Sequence, residues 1–359
     1  MTRRDAADER NAIDWSSVRR VLVIRLRSIG DTVLATPSLT ALRRFLPDAK
    51  IDILLESWVA PLLDGHPAVD EVIPIDKESS ARIAAAREIR SRRYDVVFNL
   101  HGGTTATFLT RASGARHRIG FAEYQYGRLH NHRFGASSEF WGQPKTHSAE
   151  QQLALLGYAG VPVNDRPKSS LAITTEADES VQSKLSSAGL IDEPFVLIHP
   201  AAAFATKQWS AENFARTSEF LAGLGIRSVA IAAKNETAVL QAMRSASRVP
   251  VITFDDLTLP EITALASRAG IFVGNDSGIA HISAAVGTPT VVVFGSSNRD
   301  HWRPWTDAPN EIVFREFACQ PCSGYTCEAF GTPNCILTIE PEQVFAAISR
   351  ILDKEKAGS

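Results

Sequence analysis

The sequence has no apolar run approaching the roughly 20 residues needed to cross a membrane. Its first stretch, MTRRDAADERNAIDWSS, has no apolar region resembling a signal peptide. Both absences point to a cytoplasmic protein. An excess of charge of one sign is missing too: 38 Lys and Arg stand against 40 Asp and Glu, a net charge of -2. That balance argues against a protein whose main task is electrostatic binding of nucleic acid. Cysteine is scarce, and all four residues fall between Cys319 and Cys335, which suggests a local site rather than a disulfide framework. No repeat of short fixed period is present. The pattern G-x-G-x-x-G is also lacking, so a nicotinamide cofactor is poorly supported.

What is present is enough apolar material for a large core. With 359 residues and 44% hydrophobic content, the length suggests two domains. RRVLVIRL, KIDILLE, DEVIPID and YDVVFNL read as buried strands, with a basic helix over Ser80 to Arg93. A helical pattern follows the first run and carries Pro37 inside it, a site for a kink. A second series starts near Phe195: FVLIHP, RSVAIAA, PVITF, GIFVGN and TVVVFG. Helices are expected between them over Ala211 to Leu224, Asn235 to Ala246, Leu259 to Arg268 and Gly278 to Val286. Strands alternating with helices at this spacing imply α/β domains with parallel sheets. The segment GVPVNDRPKSSLAITTEADES, after a helix at His147 to Tyr158, is the best linker. The expected division is therefore a poorly ordered segment 1–17, a domain over 18–175, a second over 176–339, and a final helix in 340–359 free to pack on either domain.

The residues able to do chemistry gather at strand ends. In VGNDSGIAHISAAVG, Asn275, Asp276 and Ser277 occupy a strand-to-helix turn, Gly278 lets a ligand approach the backbone, and His281 stands in the first helical turn. A free helix N-terminus there suits a diphosphate, although Asp276 or Ser277 also suits a plain N-cap. HPAAAFATKQWS offers Lys207 to a phosphate and Trp209 as a loop anchor, while a solvated lysine is the alternative. Glu236 at a third strand end could accept hydrogen bonds from ribose hydroxyls, or simply begin a helix. In RLRSIGDTVLATP, Asp31 opens the first helix as a base or a cap. Arg25, Arg27 and His101 of NLHGG add polar groups at the same edge. The cysteines Cys319, Cys322, Cys327 and Cys335 read C-x2-C-x4-C-x7-C, which suits a structural zinc or a loop of packed or redox-sensitive thiols.

Together SIGDTVLATP, HPAAAFATKQWS, VGNDSGIAHISAAVGTPTVVVFG and the cysteine loop followed by IEPEQV resemble the bacterial heptosyltransferase family of GT-B glycosyltransferases, closer to the heptosyltransferase II type. The likeness runs from about Val21 to Leu352. It implies two Rossmann-like domains facing a central cleft, with an ADP-heptose donor (ADP-L-glycero-D-manno-heptose) on the C-terminal domain. A lipid-linked lipopolysaccharide inner-core acceptor would bind the N-terminal domain through Arg25, Arg27 and His101, with at most peripheral contact with the inner membrane. It further implies Asp31 as general base, Lys207 on the donor phosphates, Asp276, Ser277, Gly278 and His281 framing diphosphate and sugar, and a last helix crossing back to the N-terminal domain. Transfer would invert the anomeric carbon and require no metal or other cofactor. Some members carry hydroxyl residues where this chain has Ala201, Ala202 and Ala203, so backbone N–H groups are expected to do more of the phosphate binding. A sugar-nucleotide epimerase of the same architecture and a catalytically silent sugar-nucleotide-binding protein are the alternatives.

Overall fold

β-branched apolar runs hide both faces best in a parallel sheet covered by helices on either side, and both series do this. A computed structural model describes residues 13–190, 193–322 and 324–358. The chain divides into two units between Pro167 and Lys168, inside the expected linker but earlier than residue 175.

The first unit holds β1 (Arg20–Ile24), β2 (Lys50–Glu56), β3 (Glu71–Ile75), β4 (Val96–Asn99), β5 (His117–Phe121) and β6 (His132–Phe134). Their order is β3-β2-β1-β4-β5-β6, every pair parallel. Leu22, Ile24, Leu54 and Val97 pack with Ile89 and Leu109 on one face of this sheet. The helical pattern around Pro37 is two helices, Ile29–Val33 and Thr36–Phe45, with the proline in the first turn of the second, where its missing N–H costs nothing. Of the segment 1–17 expected to be poorly ordered, residues 1–12 lie outside the described part. Residues 13–17 are placed: the Trp15 indole N–H donates to the Ala159 carbonyl at 3.0 Å and its ring stacks on Phe98.

The second unit repeats the plan with β7 (Phe195–His199), β8 (Arg227–Ile231), β9 (Ile252–Phe254), β10 (Ile271–Asn275), β11 (Thr290–Phe294) and β12 (Asn310–Phe314). The order is β12-β11-β10-β7-β8-β9, again all parallel. The last helix, Pro341–Gly358, corrects an expectation. Val344, Ala347, Ile348 and Ile351 are built into this unit's own core with Trp209 and Phe214, and Phe345 stacks on Phe220 at 4.4 Å. Its apolar stripe is thus covered by the second unit's sheet and by the helix Ala211–Gly223, where it was expected to cross to the first domain.

In each sheet the order reverses between the first and fourth strands, β1 and β4 or β7 and β10. Open α/β folds place ligands beyond the carboxyl ends of such a pair.

Candidate active site

In the second unit the reversal point brings together the turns after β7 and β10. Asn275, the last residue of β10, is fully buried. Its side-chain oxygen accepts from the Trp209 amide at 3.0 Å, and its nitrogen donates to the Pro200 carbonyl at 3.0 Å. This amide therefore ties the loop after β7 to the end of β10. Gly274 is needed beside it, because a Cβ there would lie 3.0 Å from the His199 carbonyl oxygen. Trp209 anchors the loop as expected: it is fully buried and its indole N–H donates to the Ile339 carbonyl at 2.9 Å.

Lys207 closes a short turn, Ala205–Lys207, and places its ammonium 2.7 Å from Asp276. The Ser297 hydroxyl donates to the same carboxylate oxygen. Asp276 is nearly buried, and it caps nothing. Ser277 occupies the N-cap of the helix Gly278–Ala285 without a side-chain capping bond; its hydroxyl meets His199 Nδ1 at 3.2 Å instead. The plain-cap alternative for both residues is thus not what the side chains do. That helix therefore begins without a side-chain cap, the kind of end whose first-turn N–H groups favour an anion. His281 is buried in the same helix.

His199 also lies 3.9 Å from Glu236, and this imidazole together with the Ala233 amide holds the Glu236 carboxyl below its usual range. Sequence reasoning missed His199, Ser297 and Gln208 as contributors. Gln208 holds the loop after β7 together: it accepts from the Ala202 amide at 2.8 Å and donates to the Pro200 and Trp209 carbonyls. The Ala202 N–H, counted on for phosphate, is therefore already engaged.

The cysteine loop leans on this arrangement. Thr206 donates to the Gly324 carbonyl, Ser296 donates to Thr206 at 3.0 Å, and Tyr325 packs on Phe204 at 4.5 Å between ring centroids. Cys319 and Cys322 are exposed, Cys327 half-buried and Cys335 buried. Burial first, and the other three thiols after it, push the Cys335 thiol up. Among the described residues no three His, Cys, Asp or Glu side chains are gathered as a metal ion needs, so the thiols present no preassembled zinc cage.

The first unit mirrors this at its own reversal point. Arg25 follows β1, is nearly buried, and donates to the Leu100 carbonyl beyond β4 at 2.6 Å and to the Asp31 carboxylate. The other Asp31 oxygen accepts from the Ser28 hydroxyl at 3.1 Å and lies 3.5 Å from the Ser28 amide. Asp31 thus acts in a capping box at the start of the helix Ile29–Val33, and Arg25 is an internal strut. Arg27 and His101 line a cavity of about 360 Å³ with Glu56, Asp76, Lys77 and Arg82. Burial, followed by the Arg25 charge, drives His101 down to about 4, so the ring is neutral near pH 7.

Comparison with known proteins bears on this geometry. The family model described as glycosyltransferase family 9 (heptosyltransferase) matches residues 82–331. The Escherichia coli protein named lipopolysaccharide heptosyltransferase 3 is 27% identical over 354 residues, covering 93% of this chain and 99% of its own. A glycosyl transferase family 9 structure from Veillonella parvula superposes with a TM-score of 0.83 at 23% identity, covering 96% of this chain and 99% of that one. The structure of the E. coli ADP-heptose lipopolysaccharide heptosyltransferase II gives 0.78 at 22%, covering 94% and 99%. These likenesses bear out the expected α/β fold.

Proposed function

We propose, from the premise that the chain belongs to glycosyltransferase family 9, the heptosyltransferases, that it transfers heptose from an ADP-heptose donor to a lipopolysaccharide inner-core acceptor. The family match favours transfer over the epimerase alternative. One observation carries the donor assignment: the Lys207 ammonium stands beside an uncapped helix N-terminus at the reversal point of the second sheet. A diphosphate placed there meets a cation and backbone donors together, the combination that stabilises a leaving group as its charge develops. Glu236 and His199 at the neighbouring strand ends suit the ribose and sugar hydroxyls, and Asp276 holds Lys207 in place.

The first unit takes the acceptor. In a single displacement the acceptor oxygen attacks the anomeric carbon while its proton passes to Asp31. The bond from that carbon to the phosphate oxygen breaks with its electron pair, and ADP departs with inversion. Lys207 and the helix N–H groups carry the leaving-group charge. For the cysteine loop the reading is structural: it braces the turn that presents Lys207.

Incubation with ADP-heptose and heptose-deficient core oligosaccharides, followed by mass spectrometry, tests the reading. Release of ADP with an acceptor gaining one heptose is expected. ADP-heptose left intact with every core acceptor would overturn it.

A further inference from the structure

The turn after β4 is held from behind by buried side chains. Asn99, the last residue of β4, is fully buried, as is Asn275 at the end of β10, the corresponding strand of the second sheet. The Asn99 Oδ1 accepts from the His101 amide at 3.1 Å and from the Gly102 amide at 3.0 Å. Two backbone donors on one oxygen fix which way this amide points, because the flipped group would set its NH2 against both N–H groups. Nδ2 therefore faces Thr107 Oγ1 at 3.3 Å and His130 Nε2 at 3.2 Å.

That orientation fixes the histidine as well. Asn99 Nδ2 only donates, so His130 Nε2 must accept. A neutral imidazole accepting at Nε2 carries its proton on Nδ1, and this N–H donates to the Gly127 carbonyl at 3.1 Å. His130 is buried, and burial holds its pKa below the ordinary value, which keeps the ring neutral near pH 7. The surroundings leave it little room. A Cβ on Gly120 would lie 2.8 Å from the His130 ring, and one on Gly102 would meet the Tyr124 ring at 2.6 Å. Thr104 donates to Gln125 at 2.5 Å. The segment 122–130, between β5 and β6, thus presses on the turn at Asn99, Gly102 and Thr104. The His101 ring adds no tie through Nδ1, which is buried without a hydrogen-bond partner among the described residues.

We propose that His130 is a positioning residue for transfer: through the Asn99 amide it sets the turn His101–Gly103, and with it the His101 ring and the start of the helix Thr104–Ala112. It touches no substrate, and its Nδ1–H tautomer is part of the proposal. The inference rests on the first unit being the acceptor side of the reaction.

NMR on the full chain reads the tautomer: His130 is expected with Nδ1 protonated and Nε2 bare at pH 7, and a proton on Nε2 would overturn the proposal. Kinetics with ADP-heptose and heptose-deficient core oligosaccharide read the role. His130→Leu removes the acceptor for Asn99 and should raise the acceptor KM about tenfold, the effect of one lost neutral hydrogen bond, with the ADP-heptose KM kept within about twofold. His130→Gln, whose Oε1 can accept in place of Nε2, should return the acceptor KM to within about threefold of wild type. The His101 and Gly102 amide signals should shift in His130→Leu and return in His130→Gln. Gly120→Ala presses a Cβ on the same ring and removes no polar group, so it should raise the acceptor KM too, and it decides the matter if His130→Leu does not fold. A lowered melting temperature with both KM values and both amide signals unchanged would show that His130 serves the fold alone. That result, with the wild type transferring heptose, sinks only this inference, whereas a wild type that transfers to no core acceptor sinks the acceptor reading and the role given to His130 with it.

Discussion

Lys207 and Asp276 form an ion pair of 2.7 Å that joins the loop after β7 to the turn after β10, and the carboxylate partner is only 5% exposed. The lysine therefore neutralises a nearly buried charge, and under the proposed donor reading it would also meet phosphate with its remaining N–H groups. The two can be separated by experiment.

Lys207→Ala should leave Asp276 without its cation and cost about 2 kcal/mol of stability. Adding Asp276→Asn removes the stranded charge, so the double variant should regain most of that loss in a denaturant melt. Transfer should not recover with it, staying down by roughly one to two powers of ten, since the phosphate contact is still missing. Activity returning together with stability would show that Lys207 serves only the fold.

The brace from the cysteine loop gives a second prediction. Tyr325 is exposed apart from its contact with Phe204, which precedes the Lys207 turn. Tyr325→Ala should change the melting temperature little and raise the donor KM several-fold, because the turn loses its outer support. The thiols in this loop should differ in reactivity: Cys319 and Cys322 should alkylate first and Cys335 last, since burial raises its thiol and lowers its thiolate fraction. Peptide mass spectrometry after timed iodoacetamide exposure reads the order. Equal protection of all four by added zinc would show that the loop gathers into a metal site the structure does not present.

Acid should weaken the first unit from about pH 6.5 downward, starting above the ordinary carboxylate range. Burial drives both His101 and His132 down to about 4, and His132 shares a 2.8 Å hydrogen bond with His117, itself also lowered by burial. Unfolded histidine titrates near 6.5. Between about pH 6.5 and 4 the unfolded chain thus holds more protons than the folded one, and stability falls as the pH drops. Each such proton contributes about 1.4 kcal/mol per pH unit. His132→Gln should flatten the slope by close to one proton. A melt whose midpoint is constant from pH 7 to 5 would contradict this.

The strands that can be read from the sequence are those buried on both faces: RVLVI, FVLIH, IFVGN and TVVVF are apolar but for an end residue, and each appears where expected. The short edge strands carry no such signal. His132–Phe134 is three residues with two polar side chains, and Asn310–Phe314 is half-buried, so neither stands out from a loop. The turn proposed for the donor stands out in the sequence because Asp276, Ser277 and Gly278 are adjacent in the chain. Glu56, Asp76 and Arg82 share no motif and meet only because parallel strands end at one edge. His199 ends an apolar run, where a histidine looks like packing until Ser277 and Glu236 appear beside it. The last helix shows an apolar stripe in sequence, but a stripe does not say which sheet covers it.

Asp31 is the residue whose local structure and proposed role differ most. Both of its oxygens are engaged, one by Arg25 and the other by Ser28, so a capping role explains its position without any chemistry. Asp31→Asn keeps the side-chain shape and capping ability, but it removes the negative partner of a nearly buried guanidinium. A stability loss of about 1–3 kcal/mol is therefore expected, more than capping alone predicts. Activity must then be measured well below the lowered melting temperature, so that unfolding does not pass for lost catalysis. Under those conditions a general base predicts transfer reduced by about two to four powers of ten, with ADP affinity unchanged because the donor residues lie in the second unit. Arg25→Lys should cost similar stability while keeping the carboxylate, so it reports what a disturbed strut does to the rate. If Asp31→Asn and Arg25→Lys slow transfer equally, the strut accounts for the loss and Asp31 is not the base. If only Asp31→Asn loses transfer, the proton passes to Asp31.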